Sequence, residues 1–147
     1  MNTKNIGDVG EAIVLAETVK KGLNISKPFG DNAKYDFIIE EPDGYLSKIQ
    51  VKTSTRNNGE VIRFDISSSY IIRGEYTKLS YTKEDIDYFL LVNLENNEIY
   101  KFEPNGSKEI VIRLQPSRQK KNVNFARELL WWLPTLVGMQ VVKAGRL

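Results

Sequence analysis

The stretch KYDFIIEEPDGYLSKIQVKTST, residues 34–55, predicts the pair of strands around which the fold is built. Tyr35–Glu40 and Leu46–Ser54 are both rich in apolar residues, and only the turn sequence EPDGY separates them. Runs joined by so short a turn are expected to pair as an antiparallel hairpin. Polar residues nevertheless interrupt both strands, where a purely structural hairpin could use Ile or Val.

Three of these polar side chains are expected to share one face of the hairpin. Alternate residues of a strand point to the same side, which groups Gln50 with Lys52 and with Lys48. Asp36 opens the partner strand, so pairing brings its carboxylate near them. A carboxylate and an amide oxygen can hold a hard cation, and an ammonium can stabilise phosphate charge. Strand alternation alone leaves a second interpretation open, in which this face is simply solvated.

The composition restricts the chemistry that such a face can perform. The 147 residues fit one domain, and neither cysteine nor histidine occurs among them. Catalysis must therefore use carboxylates, lysine, tyrosine or a hard cation. The net charge of +2 allows a polyanionic partner without arguing for one. The polar opening MNTKNIGDVGEA and the lack of a long apolar stretch predict a cytoplasmic protein without a membrane partner.

The other elements predict an α/β or α+β domain built on one mixed sheet. A helix is expected over Gly7–Lys21, and its apolar residues recur at helical spacing: Val9, Ala12, Ile13, Ala16, Val19 and Leu23. Further strands are expected at Leu23–Lys27, Val61–Tyr70, Thr77–Tyr81, Asp87–Asn93, Glu98–Phe102 and Ile110–Leu114. Asn122–Leu133 is expected to form a C-terminal helix, which Pro134 interrupts.

Asp36, followed after thirteen residues by QVK at 50–52, resembles the PD-(D/E)XK nuclease motif. Further blocks are similar to one branch of that family, which includes a homing endonuclease encoded by a cyanobacterial group I intron. They are GDVGEAIV around Glu11, PFGDNAKYDFII, YTKEDIDYFLLV with NEIYKF, and QPSRQKKNVNFA. The similarity runs from about Ile6 to Arg127, and it implies a single restriction-endonuclease-like domain over 1–147, with hairpin extensions on its central sheet.

The resemblance implies a site-specific endonuclease that hydrolyses DNA and makes a double-strand break. Asp36 and Gln50 match positions of metal ligands, Glu11 that of an accessory ligand, and Lys52 that of the residue that positions the attacking water. Mg²⁺ is the implied ion, with Mn²⁺ able to substitute and Ca²⁺ able to bind without supporting cleavage. Two positions depart from the motif, because Tyr35 replaces a proline and Gln50 stands where many members carry an acid.

Basic residues in and after the site are expected to contact DNA. The segment 56–80 mixes arginine, lysine, serine and tyrosine, which suits phosphate contacts and major-groove reading by a β-ribbon. The expected contacts are Lys34, Arg56, Arg63, Arg73, Lys78, Arg118, Lys120 and Lys121.

Two features of the chain predict self-association. One active site cuts one strand, so a double-strand break by identical chains is expected to need a dimer or a dimer of dimers. Within the C-terminal helix and tail, 122–147, the apolar part Trp131–Val142 either completes the core or forms a surface between copies. No other protein partner is implied. Three alternatives stay open: a Holliday-junction resolvase, a restriction-type nuclease, and a DNA-binding module that has lost cleavage.

Overall fold

The computed structural model of the chain describes residues 1–115 and 124–131. Its elements follow in this order: α1 Thr3–Lys20, β1 Ile25–Ser26, β2 Phe37–Glu40, β3 Leu46–Ser54, β4 Val61–Asp65, β5 Ser67–Ile72, β6 Glu75–Ser80, β7 Tyr88–Asn93, β8 Glu98–Phe102, β9 Glu109–Arg113, β10 Asn124–Phe125 and α2 Ala126–Leu129. The expected mixed α/β fold with an N-terminal helix is confirmed. Across the described ranges, no helix is long and apolar enough to cross a membrane.

A five-stranded mixed sheet in the order β1-β2-β3-β7-β8 forms the centre of the fold. Strands β2 and β3 form the predicted hairpin, with Phe37 opposite Ile49. Strand β7 lies parallel to β3 on its other side, with Gln50 opposite Phe89. Parallel neighbours require a crossover connection, which is usually a helix. Here the connection between β3 and β7 contains the strands β4, β5 and β6 instead of a helix. It includes the segment 56–80 that is expected to read DNA, and β4 contacts β3.

Two apolar cores cover the two faces of this sheet. Under α1, the core is formed by Val14, Phe37, Ile39, Ile49, Val51, Tyr88, Leu90, Val92 and Ile99. On the other face, a second sheet of order β10-β9-β4 packs through Ile62, Phe64, Ile110 and Ile112 against Phe89, Leu91 and Tyr100. Because strand residues alternate, Ile49 and Val51 belong to the first core, while Gln50 and Lys52 point to the second face.

The packed face of α1 differs from the predicted apolar stripe. Gly10, Val14 and Thr18 are its buried residues, whereas Val9 and Val19 are 36% and 60% exposed. A Cβ atom added at Gly10 would lie 1.8 Å from Thr53 Oγ1, so the helix approaches β3 most closely at a residue without a side chain. Helical spacing cannot reveal this, because glycine adds nothing to an apolar pattern.

The predicted strand Val61–Tyr70 is divided in two. Ile66 turns into the core, where it is fully buried, so β4 ends before it and pairs with β9. Strand β5 pairs instead with β6 as a separate two-stranded ribbon. Arg73 and Gly74 close this ribbon with φ angles of 52° and 80°. Positive φ at both residues is the requirement of a type I′ turn, which matches the twist of a hairpin.

The predicted C-terminal helix is much shorter within the described residues. Asn124 and Phe125 pair with β9 as a parallel strand, and only Ala126–Leu129 are helical. Leu130 then bridges to Tyr100, and the Trp131 N–H donates to Ile99 O at 2.9 Å, so the helix ends at Leu129. Edge pairing has overridden the helical pattern here. The remainder of the predicted helix and tail lies outside the described residues.

Candidate active site

Asp36 is fixed at the start of β2 by hydrogen bonds to the neighbouring strand. Its backbone N–H donates to Ile49 O at 2.8 Å, and its Oδ2 accepts from the Val51 N–H at 2.9 Å. At the open end of the hairpin, the Asp36 carboxylate thus takes the place of a backbone carbonyl as the acceptor for the Val51 N–H. Gln50 and Lys52 follow on the same face of β3, and all three residues are half-buried. The hairpin therefore places Asp36 at the start of β2, next to the part of β3 that carries Gln50 and Lys52.

Burial works against charge on both ionisable members of the trio. It raises the pKa of Asp36, against the hydrogen bond from Val51 that lowers it. It lowers the pKa of Lys52, against the charges of Asp65 and Asp36 that raise it. A cation brought close to this carboxylate would favour its ionised form. The arrangement is therefore suited to binding positive charge next to Asp36.

The ammonium of Lys52 is directed by the crossover segment. Its Nζ donates to Ser67 O at 3.0 Å and lies 5.5 Å from the centre of the Tyr81 ring. An ammonium has three N–H donors, so two stay available to a water or a phosphate. Burial, followed by the charge of Asp36, raises the pKa of Tyr81 to about 12. The Tyr81 hydroxyl therefore stays protonated and uncharged beside the Lys52 ammonium.

Glu11 reaches the site electrostatically. It lies on α1, where its Oε1 accepts from Lys27 Nζ at 3.0 Å, and its charge contributes to raising the pKa of Asp36. In the described ranges, no three acidic side chains converge as a metal cluster. Oxygen donors from Asp36 and the Gln50 amide nevertheless suit a hard cation such as Mg²⁺ or Mn²⁺, which prefers oxygen ligands.

Comparisons with known proteins identify the family and the fold of the chain. A family model described as PD-(D/E)XK endonuclease matches residues 1–133. The chain belongs to this family. Its fold is similar to the solved structure of a bacterial homing endonuclease, I-Ssp6803I, with a TM-score of 0.71 and 22% sequence identity. That match covers 88% of this chain and 89% of the other. None of the curated proteins that were compared matches the sequence.

One acidic residue near the hairpin has a structural role in this PD-(D/E)XK domain. Asp87 also opens a strand, but no QxK pattern follows it, which predicts such a role. Its Oδ2 accepts from the Lys48 N–H at 2.7 Å, and its Oδ1 accepts from the Tyr45 hydroxyl at 2.9 Å. The neighbouring Lys48 ammonium donates to Glu84 O at 2.7 Å. Asp87 and Lys48 therefore brace the β3–β7 junction.

Four of the five expected DNA-contacting cations that lie within the described residues form ion pairs. Glu109 contacts both Arg56 and Arg63, at 3.2 and 3.4 Å. The other pairs are Lys34 with Asp85 at 3.4 Å and Lys78 with Asp65 at 2.8 Å. Arg73 occupies the ribbon turn. Arg118, Lys120 and Lys121 lie outside the described residues.

Four residues around the PD-(D/E)XK motif were not identified from the sequence. Ser67 and Tyr81 surround Lys52, Asp65 binds Ser67, and Glu109 pairs with two arginines. The pattern Asp-x-Ser at Asp65 signals a local turn, because an aspartate commonly accepts from the N–H two residues later. The same pattern does not reveal that this turn contacts Lys52, because only the folding of the chain between β3 and β7 brings Ser67 next to Lys52.

Proposed function

We propose that this chain is a site-specific, divalent-metal-dependent DNA endonuclease of the homing type, which makes a double-strand break. The observation that carries the proposal is the position of Asp36 beside the face of β3 that carries Gln50 and Lys52, all three half-buried, with Asp36 and Lys52 close enough for each charge to affect the pKa of the other. Membership of the PD-(D/E)XK endonuclease family supports the nuclease class. The fold shared with a bacterial homing endonuclease supports the narrower assignment.

Each residue of the site has a distinct proposed role. Asp36 and the Gln50 amide oxygen would hold Mg²⁺, with Glu11 as an accessory ligand. The bound ion would supply Lewis-acid stabilisation of a phosphate oxygen and a lower pKa for water. Lys52 uses one N–H on Ser67 O and offers the other two to the scissile phosphate and the attacking water. Positive charge held in place before the reaction stabilises the charge that develops on phosphate.

The β5–β6 ribbon is the proposed reader of the DNA sequence. A two-stranded ribbon fits the major groove, which is about 12 Å wide. Arg73 occupies its turn, and the cross-strand pair Ile71 and Tyr76 is 72% and 70% exposed. Arginine can bind guanine edges, and apolar side chains can contact thymine methyl groups. The cations at the base of the ribbon, Lys78, Arg56 and Arg63, are proposed phosphate contacts, as are Lys34, Arg118, Lys120 and Lys121.

The active form is proposed to be a homo-oligomer, a dimer or a dimer of dimers. Two copies related by a two-fold axis would cut both strands and would favour a pseudo-palindromic target. Sedimentation of the full chain tests this at the concentration used for cleavage. A mass near 16.9 kDa for the free protein, together with a complex that contains one chain per DNA molecule, would reject the oligomer.

Cleavage of a randomised linear duplex library tests the proposed function. The library is incubated with the protein and Mg²⁺, Mn²⁺, Ca²⁺ or EDTA, and the new ends are sequenced. Ends that share one sequence, produced with Mg²⁺ or Mn²⁺ but not with Ca²⁺ or EDTA, are expected. A four-way junction is run in parallel. Cleavage of the junction alone, without sequence preference, would identify a resolvase, and binding without products in any metal would identify a DNA-binding module.

A further inference from the structure

The carboxylate of Asp65 bonds across the break between β4 and β5. Asp65 Oδ1 accepts hydrogen bonds from the Ser67 N–H at 2.9 Å and from the Ser67 hydroxyl at 2.6 Å. Ser67 is buried, with 3% of its surface exposed. Two bonds into one oxygen anchor the side chain of Ser67 and the peptide that precedes it, which links Ile66 to Ser67. Asp65 thereby holds Ser67 in place from one side, and the pairing of Ser67 with Ser80 holds it from the other, so both restrict the direction of the Ser67 carbonyl.

That carbonyl is the acceptor for the Lys52 ammonium, at 3.0 Å. A lysine side chain has a flexible stem of four methylene groups, and a hydrogen bond to a fixed acceptor removes much of its conformational freedom. Asp65 and Lys52 are therefore both hydrogen-bonded to Ser67, at normal distances, and the covalent frame of Ser67 connects the two sets of bonds.

The second oxygen of Asp65 is held by the ribbon. Lys78 Nζ donates to Asp65 Oδ2 at 2.8 Å from the facing strand β6. Burial acts to raise the pKa of Asp65, but the hydrogen bonds from Lys78 and Ser67 lower it to about 2. The carboxylate therefore stays ionised at every pH at which a nuclease would be assayed.

We propose that Asp65 is a positioning residue for Lys52. By anchoring Ser67, it holds in place the carbonyl that binds the ammonium, and so restricts the direction in which Lys52 presents its two remaining donors to the scissile phosphate and the water. The inference rests on the proposed function, in which Lys52 acts on that phosphate. Because a misplacement of about 1 Å can lower a rate by as much as about a hundredfold, loss of this support is expected to reduce catalysis more than binding.

Two substitutions of Asp65 separate its role in anchoring Ser67 from the effect of its charge. Asp65→Asn keeps Oδ1 as an acceptor for Ser67 but removes the charge that pairs with Lys78. Asp65→Ala removes both. Single-turnover cleavage under Mg²⁺ is expected to fall at least about tenfold in Asp65→Ala and to stay within about threefold of wild type in Asp65→Asn. DNA affinity in Ca²⁺ should be equal in the two variants, because both release Lys78 in the same way.

A matched control removes an ion pair elsewhere. Glu103 accepts from Lys83 at 2.9 Å on an exposed surface, so Glu103→Ala deletes a similar acid–lysine pair that has no contact with Lys52. Its cleavage rate should match that of the wild type. Equal losses in Asp65→Ala and Asp65→Asn would show a charge effect and overturn the positioning role, as would equal losses in Asp65→Ala and the control.

Further measurements cover the cases in which Asp65→Ala does not fold or the wild type cleaves no DNA. Ser67→Ala removes one of the two bonds into Asp65 and should slow cleavage several-fold at unchanged DNA affinity, whereas an unchanged rate would overturn the proposal. If the wild type is inactive, the proposed function fails, and crystal structures decide the positioning claim. Lys52 Nζ should stay on the carbonyl of residue 67 in the wild type and in Asp65→Asn, should leave it in Asp65→Ala, and should move away from it in part in Ser67→Ala, which keeps one of the two bonds. An unchanged Lys52 contact in these two variants would overturn it.

Discussion

Gly10 is the position at which α1 comes closest to the central sheet, and alanine there is predicted to destabilise the protein. The added Cβ would lie 1.8 Å from Thr53 Oγ1 and 3.0 Å from Thr53 Cβ. Contacts below 3.0 Å essentially never occur for real Cβ atoms, so α1 or Thr53 must move by about 1 Å. Overpacking of this kind typically destabilises by about 1–3 kcal/mol.

The helical preference of alanine opposes this effect only in part. Replacing a helical glycine with alanine contributes about 0.5–1 kcal/mol of stability where the site is free. Gly7, one turn earlier in the same helix, provides the control because nothing lies within 4 Å of its added Cβ. We therefore expect Gly7→Ala to raise the melting temperature and Gly10→Ala to lower it, by about 4 °C for each kcal/mol.

A double-mutant cycle tests whether the stability lost in Gly10→Ala comes from the contact with Thr53. Thr53→Ala removes Oγ1, so Gly10→Ala should be much less destabilising when Thr53 is already alanine. Urea denaturation of the four proteins measures the coupling free energy, which we expect to be about 1 kcal/mol or more. Equal stability of the Gly7→Ala and Gly10→Ala variants, or a coupling near zero, would refute the close approach of α1 to β3.

Three further predictions concern charge and metal ligation. Burial lowers the pKa of Lys21 to about 7, against an unfolded value of 10.5, so the native state binds fewer protons in this range. Stability relative to Lys21→Met should therefore rise between pH 7 and about pH 9 in urea denaturation, and a fall would contradict the burial. Glu109→Gln releases Arg56 and Arg63, which should tighten DNA binding several-fold at low salt and steepen its salt dependence in titrations. Gln50→Leu should slow cleavage at least about tenfold while Gln50→Glu stays active, and a fully active Gln50→Leu would exclude Gln50 as a ligand.

The parts of the fold that depend on local sequence were predicted well. Strands β3 and β8 have the predicted bounds, Leu46–Ser54 and Glu98–Phe102, because turn residues flank clear apolar runs. The face of α1 was not predicted, because its contact is made by a glycine. The C-terminal helix was also wrong over Asn124–Phe125, because tertiary pairing with β9 overrides a local helical pattern.

The candidate site likewise has a part that the sequence predicts and a part that it does not. Asp36, Gln50 and Lys52 follow from strand alternation in one hairpin, and the resemblance to PD-(D/E)XK nucleases gave them roles. The surroundings of Lys52 depend on a crossover of strands, which brings Ser67 and Tyr81 against it from distant parts of the sequence. No local pattern encodes such a long-range contact.

Cleavage by a Lys52 variant and by its matched control tests the central claim most directly. Lys52→Met removes the ammonium at the site, while Lys48→Met removes one from the same strand and face that binds Glu84 O instead. With Mg²⁺, Lys52→Met should cut at least about a hundredfold more slowly than wild type, and Lys48→Met at the wild-type rate. DNA affinity in Ca²⁺ should be nearly unchanged for Lys52→Met, and EDTA should stop every active protein. Cutting by Lys52→Met at the wild-type rate would contradict the assignment of this face as the active site.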